Sequence, residues 1–175
     1  MRRCLPVFLF LAIFSAMAIP AAAQQPNAGP AVAVTYSGLR DVQDEQIFWD
    51  RGFTAEFSQP LRTSRTAIVG EFSWNHNTFF DDDLKSYLGG IRHAVWTRGQ
   101  VQSFVQVLAG TEQCCAGTNG LTLQPGAGVN YWVATRLAVR FQADWRLARY
   151  SHDDTFHTYK EARLGVGIVV PFGGR

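Results

Sequence analysis

Charged side chains are scarce in this chain, and lysine is nearly absent. Asp, Glu, Lys and Arg together make up 17% of the 175 residues, and only two lysines occur, Lys85 and Lys160. An ordinary soluble domain has about 25% charged residues. The formal net charge is only +2, which gives the chain no electrostatic basis for binding nucleic acid. Cysteine occurs three times, too few for a small domain held together by disulfides.

The N-terminus has the order of a secretory signal peptide. Arg2 and Arg3 precede a short apolar run that closes with Ala21–Ala23. A basic start, an apolar core and a small-residue cleavage site are the three parts of such a peptide. We therefore predict a cleaved signal peptide at 1–23 and a short lead-in at 24–30, with a retained anchor helix as the alternative. Cleavage would remove two of the 16 basic side chains and leave 14, which equals the number of acidic ones.

Apolar and polar residues alternate with a period of two along most of the remaining chain. Between 136 and 148, the odd-numbered positions from Leu137 are apolar, while three arginines, a glutamine and an aspartate occupy even-numbered ones. A strand separates two such sets onto opposite faces, whereas a helix would scatter them. No stretch has the periodicity of an amphipathic helix. We predict an all-β chain of eight strands, at 31–40, 52–59, 65–76, 85–96, 101–110, 121–133, 136–148 and 159–172.

The segments between these strands alternate in length. Short turns are predicted at 61–64, 97–100 and 134–135. Longer polar loops are predicted at 41–51, 77–84, 111–120 and 149–158. This arrangement indicates an antiparallel up-and-down meander with both termini at the end that carries the short turns.

The placement of charge indicates which face of the strands meets lipid. Alternation alone fits either a soluble lipocalin-like barrel or a transmembrane barrel. Ten of the 14 acidic residues lie in the predicted loops, and aromatic residues gather near strand ends, as in the girdles of membrane barrels. Charges within strands lie opposite the large apolar residues. We therefore predict an eight-stranded transmembrane β-barrel at 31–172 with an interior charge network of Glu56, Glu71, Arg92, Arg140, Asp144, Arg146, Glu161 and Arg163.

Hairpin geometry predicts ion pairs within this network. A turn near 154 would bring two pairs together, and a turn near 80 would bring a third. The alternative is that each charge is solvated separately in a wet lumen, although an unpaired buried charge is costly. The predicted pairs are Arg146 with Glu161, Asp144 with Arg163, and Glu71 with Arg92.

Four segments of the chain resemble the small outer-membrane β-barrel proteins of the OmpA-like and OmpX-like type, with a porin-family outer-membrane β-barrel domain. They are 52–57 (GFTAEF), 103–110 (SFVQVLAG), 123–130 (LQPGAGVN) and 163–172 (RLGVGIVVPF). The resemblance implies an eight-stranded barrel in the outer membrane of a Gram-negative bacterium. Pro125 lies inside the third segment, and because proline cannot donate to a strand ladder, we predict a bulge there.

The resemblance also implies how the barrel reaches its membrane. Periplasmic chaperones and the barrel-assembly machinery would act as partners during insertion, and the machinery would read a C-terminal aromatic signal. A tail at 173–175 follows that signal. The signal is predicted at Leu164, Val166, Ile168, Val170 and Phe172.

One segment faintly resembles the active-site strand of lipid A deacylase barrels. Ser151 and His152 lie near the predicted rim, but the position two residues after the histidine is Asp154, where that family has a serine. A hydrolase of this type needs a nucleophile beside its base. We therefore predict that the protein is not an enzyme and has no cofactor.

Two further groupings in the predicted loops have ordinary interpretations. The acids Asp81–Asp83 and Asp153–Asp154, with His152 and His157, could hold a divalent cation, but their spacing matches no dedicated metal loop. We predict no metal site there. Cys114 and Cys115 are adjacent and could form a vicinal disulfide or remain thiols.

These observations predict a structural or surface-interacting role. Eight strands enclose an interior about wide enough for side chains, so the lumen would be at most a very narrow pore. We expect a monomer that contacts outer-membrane lipids and supports envelope integrity. The alternative is a secreted lipocalin-like barrel that binds an apolar ligand inside.

Overall fold

The chain folds into a closed barrel of eight antiparallel strands. The computed structural model describes residues 29–42, 49–61, 65–77, 82–114, 118–152 and 155–172. Each strand pairs with its neighbours in sequence, and the last strand returns to the first. The predicted up-and-down fold is confirmed. The strands are β1 (Ala31–Asp41), β2 (Asp50–Pro60), β3 (Thr66–Asn77), β4 (Asp82–Arg98), β5 (Val101–Cys114), β6 (Thr118–Ala134), β7 (Leu137–His152) and β8 (Thr155–Pro171).

Across the described ranges, no helix is long and apolar enough to cross a membrane.

The register of the strands gives the barrel its tilt. A path through directly opposite partners starts at Val34 of β1 and passes each strand once to reach Thr158 of β8. The β8 partner of Arg40 is Ala162. Arg40 lies six residues from Val34 along β1, and Thr158 lies a further four residues in the same direction beyond Ala162. The path therefore returns to the level of β1 ten residues away from its start, which is a stagger of ten residues over eight strands. Such a stagger is what closing a tilted sheet requires.

The two ends of the barrel differ. One end, which we call the turn end, carries β1's start, β8's end and the connections 61–65, 99–100 and 135–136. Gly99 has a φ of 58° in the second of these turns, a left-handed conformation that glycine adopts without strain. Short turns in outer-membrane barrels face the periplasm. We call the opposite end the loop end; in such barrels that end faces outward from the cell.

Strands at the loop end are longer than predicted. The predicted loops at 111–120 and 149–158 were too long, because β5 continues to Cys114, β6 begins at Thr118, and β7 and β8 are separated by two residues. Beyond the apolar belt, outward positions are polar, so hydrophobic alternation stops while the backbone ladder continues. Strands of 14 to 17 residues exceed the roughly 9 to 11 that cross a bilayer.

The predicted bulge at Pro125 was wrong. Pro125 lies opposite Val107 of β5, and β6 keeps one register with β7 on both sides of the proline, from Leu123 to Gly126. Pairing with β7 lapses at positions 124 and 125 and resumes without a shift, because a ladder can lose bonds locally without an inserted residue. Irregularities lie instead between Ala94 and Trp96 and between Trp132 and Ala134.

Large apolar side chains point outward along the strands. Ile91, Phe141 and Leu164 are each more than half exposed. Inward positions are mainly polar, and the apolar ones include two small clusters, Val69–Leu88–Leu108 and Ala33–Trp132–Ala138–Val169. The soluble lipocalin-like alternative is therefore wrong, because its apolar set would have to line an interior cavity. An apolar exterior around a polar interior is the arrangement of a transmembrane barrel.

Candidate functional site

The candidate site is the charged lumen. All eight residues of the predicted charge network occupy inward positions of the strands, and seven of them are buried. Glu161 is the eighth and is partly accessible near the loop end. The charges form three groups stacked along the barrel, which we call the turn-end, central and loop-end groups.

In the turn-end group, two arginines surround one carboxylate. Arg92 Nη1 donates to Glu56 Oε1 at 2.6 Å, and Arg140 Nη1 donates to the same oxygen at 2.8 Å. Both guanidinium groups also lie over the Phe104 ring, 4.3 and 5.0 Å from its centroid. The cation–π contacts and the shared carboxylate offset the repulsion between the arginines. Asn130 accepts a further bond from Arg140 Nε at 2.9 Å.

The central group is built on Arg163. Its two terminal nitrogens donate to the two carboxylate oxygens of Glu71 at 2.8 and 2.9 Å. Its Nε donates to Asp144 Oδ2 at 2.9 Å. Gln106 connects the groups, because its side chain accepts from Arg92 Nε at 3.1 Å and donates to Asp144 Oδ1 at 3.0 Å. Bidentate charge-assisted bonds of this kind fix geometry strongly.

The loop-end group closes the lumen from the other side. Arg146 forms an ion pair with Glu112, and the Tyr150 hydroxyl donates to the same carboxylate. Arg146 Nη1 also lies 3.3 Å from Glu161 Oε2, within ion-pair distance, although neither atom has hydrogen-bond geometry. The second contact is therefore the weaker of the two that Arg146 makes.

The structure brings two of the three predicted pairs together. Arg146 lies opposite Glu161 and Asp144 opposite Arg163 across the β7–β8 hairpin. The prediction that Glu71 contacts Arg92 was wrong, because the register places Glu71 opposite Leu88. Glu71 instead contacts Arg163 across the lumen. Whether the network stabilises the barrel stays a prediction.

Glu112 was missed by sequence reasoning. Its position was assigned to a loop, whereas it lies in β5 and is fully buried. A signal was present, because the inward alternation of Phe104, Gln106 and Leu108 continues in phase to 112. Tyr150 belongs to the same group and was likewise assigned to a loop.

Little open space remains in the lumen. At the turn end, Trp132 packs with Ala33, Ala138 and Val169 to form an apolar plug inside the barrel. Beside Arg163, a cavity of about 10 Å³ remains, no larger than a single water molecule needs. Paired charges fill the middle, so the described side chains leave no wide channel.

The predicted assembly signal lies on the outer surface of β8. All five of its side chains are exposed, and the Phe172 ring lies 6.1 Å from that of Phe57 on β2. These positions suit lipid contact after insertion. Recognition by the assembly machinery stays a prediction.

Several sequence-based predictions lie outside the described residues. These include the signal peptide, the tail at 173–175 and the vicinal disulfide, which involves Cys115. Asp153 and Asp154, part of the possible metal and deacylase-like groupings, are also outside. Among residues that the structure does describe, no group of three or more His, Cys, Asp or Glu side chains could hold a metal ion.

One exposed hydrogen bond between side chains lies at the loop end. His76 Nδ1 and Asp83 Oδ1 are 3.0 Å apart on neighbouring strands. The hydrogen bond with His76 lowers the pKa of Asp83 below its ordinary value. This pair lies beyond the apolar belt and takes no part in the lumen network.

Comparison with known proteins identifies likenesses of fold. No protein-family model matches the chain, and no curated protein matches it in sequence. Among solved structures, Neisserial surface protein A is similar, with a TM-score of 0.64, 11% identity, and 82% of this chain and 96% of that chain covered. The outer membrane protein OprG from Pseudomonas aeruginosa has a TM-score of 0.54 at 10% identity, covering 87% and 100%.

A third structure, Ail, the attachment invasion locus protein of Yersinia pestis, has a TM-score of 0.51 at 16% identity, covering 82% of this chain and 97% of that chain. At such identities the likeness concerns the fold. This chain's own features, a closed eight-stranded barrel with an apolar exterior and a charged interior, agree with it. The chain therefore has the fold of the small eight-stranded outer-membrane β-barrels, as the resemblance of its sequence implied.

Proposed function

We propose that the protein is a non-enzymatic structural barrel that supports the integrity of the outer membrane. The observation that carries this proposal is the filled lumen. Arg163, Arg146 and Glu56 each engage two partners across the interior. Ion pairs that link distant strands hold the barrel wall together, and they block the passage of solutes.

Exposed strand ends support surface interaction as a secondary role. The β5–β6 and β7–β8 hairpins continue beyond the apolar belt at the loop end. Rigid extensions of this kind can present a binding surface outside the membrane. The closed barrel has no unpaired strand edge, so it can act as a monomer. Periplasmic chaperones and the barrel-assembly machinery are its proposed partners during insertion.

The proposal is tested by conductance across planar bilayers. We expect the purified barrel to produce no conductance steps, because the lumen is closed by the plug and by the charge network. A double variant, Trp132→Ala with Arg140→Ala, removes the largest ring of the plug and the guanidinium above it. This variant should leak small ions.

Tyr131→Ala is the matched control, because residue 131 neighbours Trp132 in the chain but points outward. This control should stay silent. Reproducible conductance steps from the unaltered protein would contradict a closed structural barrel and favour a pore.

A further inference from the structure

The turn end of the barrel is free of acidic side chains. All three of its connections, 61–65, 99–100 and 135–136, fall within stretches of sequence that contain neither aspartate nor glutamate. The start of β1 and the end of β8, which complete this end, also lie in such stretches. The stretches are 1–40, 57–70, 84–111, 113–143 and 162–175. Basic side chains at this end therefore have no acidic neighbour along the chain.

Each of the three connections carries or adjoins one exposed arginine. Arg65 directly precedes β3, Arg98 ends β4 and Arg136 directly precedes β7. All three side chains are exposed, and none of them forms a hydrogen bond, an ion pair or a ring contact with another described residue. We call this set the basic platform. Within the described part of the chain, its guanidinium groups are free to bind a ligand on the periplasmic side, which the short turns of such barrels face.

The backbone holds the three arginines in fixed positions. The backbone N–H of Ala94 donates to the carbonyl oxygen of Arg65 at 2.7 Å. Arg98 pairs with Val101 across the β4–β5 turn. Arg136 lies in a connection of two residues between β6 and β7. Because the connections are short and bonded to their strands, the platform is formed before any ligand binds.

The arginines are spread evenly around the end of the barrel. The connections beside them follow β2, β4 and β6, so each is separated from the next by two strands. Neighbouring strands lie about 4.8 Å apart, which places successive connections about 10 Å apart along the wall. A fourth such position lies between β8 and β1. The platform therefore presents three separate cations over three of four corners.

The interior adds to the positive charge of this face. The turn-end group of the lumen contains Arg92 and Arg140 but only one carboxylate, that of Glu56. The apolar plug around Trp132 closes the lumen between that group and the connections. A ligand at the turn end therefore meets a closed and positively charged surface.

We propose that the basic platform binds the carboxylate groups of peptidoglycan, the cell-wall polymer that lies beneath an outer membrane. The peptide stems of this polymer end in free carboxylates, and a planar guanidinium group matches a carboxylate with two parallel hydrogen bonds. All three members are arginine, and lysine, which binds as a point charge, is absent from the turn end. The inference rests on the proposed role in envelope integrity and names the structure that the barrel holds.

The spacing favours a polymer over small anions or lipid head groups. One exposed ion pair binds weakly, because water and salt screen it. Three pairs about 10 Å apart act together only when the carboxylates are linked, since the first contact then raises the local concentration of the others. The arginines also lie beside connections across the end of the barrel, whereas lipid head groups surround its wall. A linked polyanion below the membrane can reach all three.

The test measures sedimentation of the folded barrel with purified peptidoglycan sacculi, which are insoluble. The barrel is kept in maltoside micelles, and the fraction that sediments is measured against the concentration of sacculi. The triple variant Arg65→Gln, Arg98→Gln and Arg136→Gln should bind at least about tenfold more weakly than the unaltered barrel. Equal binding by this variant would overturn the proposal.

A matched control removes three cations from the loop end. The triple variant Arg51→Gln, Lys85→Gln and Arg149→Gln changes the net charge by the same amount and replaces side chains that are also exposed. It should keep the affinity of the unaltered barrel. An equal loss in this control would contradict the platform, because general charge attraction would then explain the binding.

Two further measurements identify the chemical group that is bound. Sacculi whose carboxylates have been converted to amides should bind the unaltered barrel as weakly as native sacculi bind the platform variant. Undiminished binding would overturn the proposal, because carboxylates would then not be recognised. Phosphatidylglycerol added to the micelles should leave the sedimentation unchanged. Loss of sedimentation would instead assign the arginines to lipid phosphates and would also overturn the proposal.

Folding of each variant is checked by its migration before and after boiling. If the platform variant does not fold, the three single variants replace it. Each of them should bind sacculi more weakly than the unaltered barrel, and unchanged binding in all three would contradict the platform.

Failure of this inference can be told from failure of the proposed function. The platform variant leaves every lumen residue intact, so it should be as silent in planar bilayers as the unaltered barrel. A silent barrel that does not sediment with sacculi would overturn the platform alone. A conducting barrel that sediments as expected would overturn the closed-lumen proposal alone.

Discussion

At the scale of single residues, stability depends on how each buried charge is shared. Arg163 has partners on two other strands, because Glu71 belongs to β3 and Asp144 to β7. Removing one partner of such a group leaves the others charged and desolvated, which costs more than the net value of the contact. Replacing one member of a buried ion pair should therefore destabilise this barrel more than replacing both members together.

Replacing Arg163 by methionine should destabilise the barrel by about 3 to 5 kcal/mol. The change leaves the carboxylates of Glu71 and Asp144 buried without their cation. The free energy of unfolding in urea, measured in lipid vesicles, checks this value. A triple variant, Arg163→Met with Glu71→Gln and Asp144→Asn, should recover part of the loss.

Arg98→Met serves as the control, because Arg98 is exposed at the turn end. It should change the unfolding free energy by about 0.5 kcal/mol or less. A loss for Arg163→Met no greater than that of Arg98→Met would contradict a stabilising network.

At the scale of the strand, the two faces impose opposite requirements. Strand β8 places Leu164, Val166 and Ile168 outward, while Arg163 and Val169 of the same strand point inward and are buried. Charge is tolerated on the inner face when it is paired, as at Arg163. On the outer face it meets hydrocarbon, where no partner is present.

Ile168→Arg should therefore destabilise the barrel by about 2 to 4 kcal/mol, because residue 168 is exposed in the middle part of the apolar belt. Gln59→Arg is the matched control. Residue 59 is also outward, but it lies near the end of β2 at the turn end, where the cost should be about 0 to 1 kcal/mol. Unfolding in vesicles measures both, and equal costs would contradict a lipid-facing outer surface.

At the scale of the whole molecule, closure makes the fold resistant. Every strand has two neighbours, and the contacts of Arg140 with Glu56 and of Arg163 with Glu71 join residues separated by 84 and 92 positions. Unfolding must break the wall and the interior together. Such cooperativity is typical of barrels that keep their structure in detergent.

Fractionation of cells should recover the protein in the outer membrane. On a denaturing gel, an unboiled sample should migrate faster than a boiled one, because sodium dodecyl sulfate alone does not open the closed barrel. A soluble periplasmic protein without this shift would contradict both the fold and its location.

Much of the architecture could be predicted from the sequence. Period-two alternation predicted eight strands, because side-chain direction in a strand depends only on position. The placement of charge then predicted which face meets lipid. The strand ends at 111–114 and 149–152 were predicted as loops, because the outward positions beyond the apolar belt are polar and their sequence resembles that of a loop. The bulge predicted at Pro125 was wrong, because a strand can lose a hydrogen bond at a proline without gaining an inserted residue.

The sequence by itself determined the alternating faces, the apolar exterior and the hairpin contact of Asp144 with Arg163, because neighbouring strands fix their own register. Only the tertiary structure decided that Glu56 lies between Arg92 and Arg140, and that Glu71 contacts Arg163. Contacts across the lumen and positions around the wall depend on strand number, stagger and closure together, and these quantities belong to the assembled barrel and not to any single hairpin.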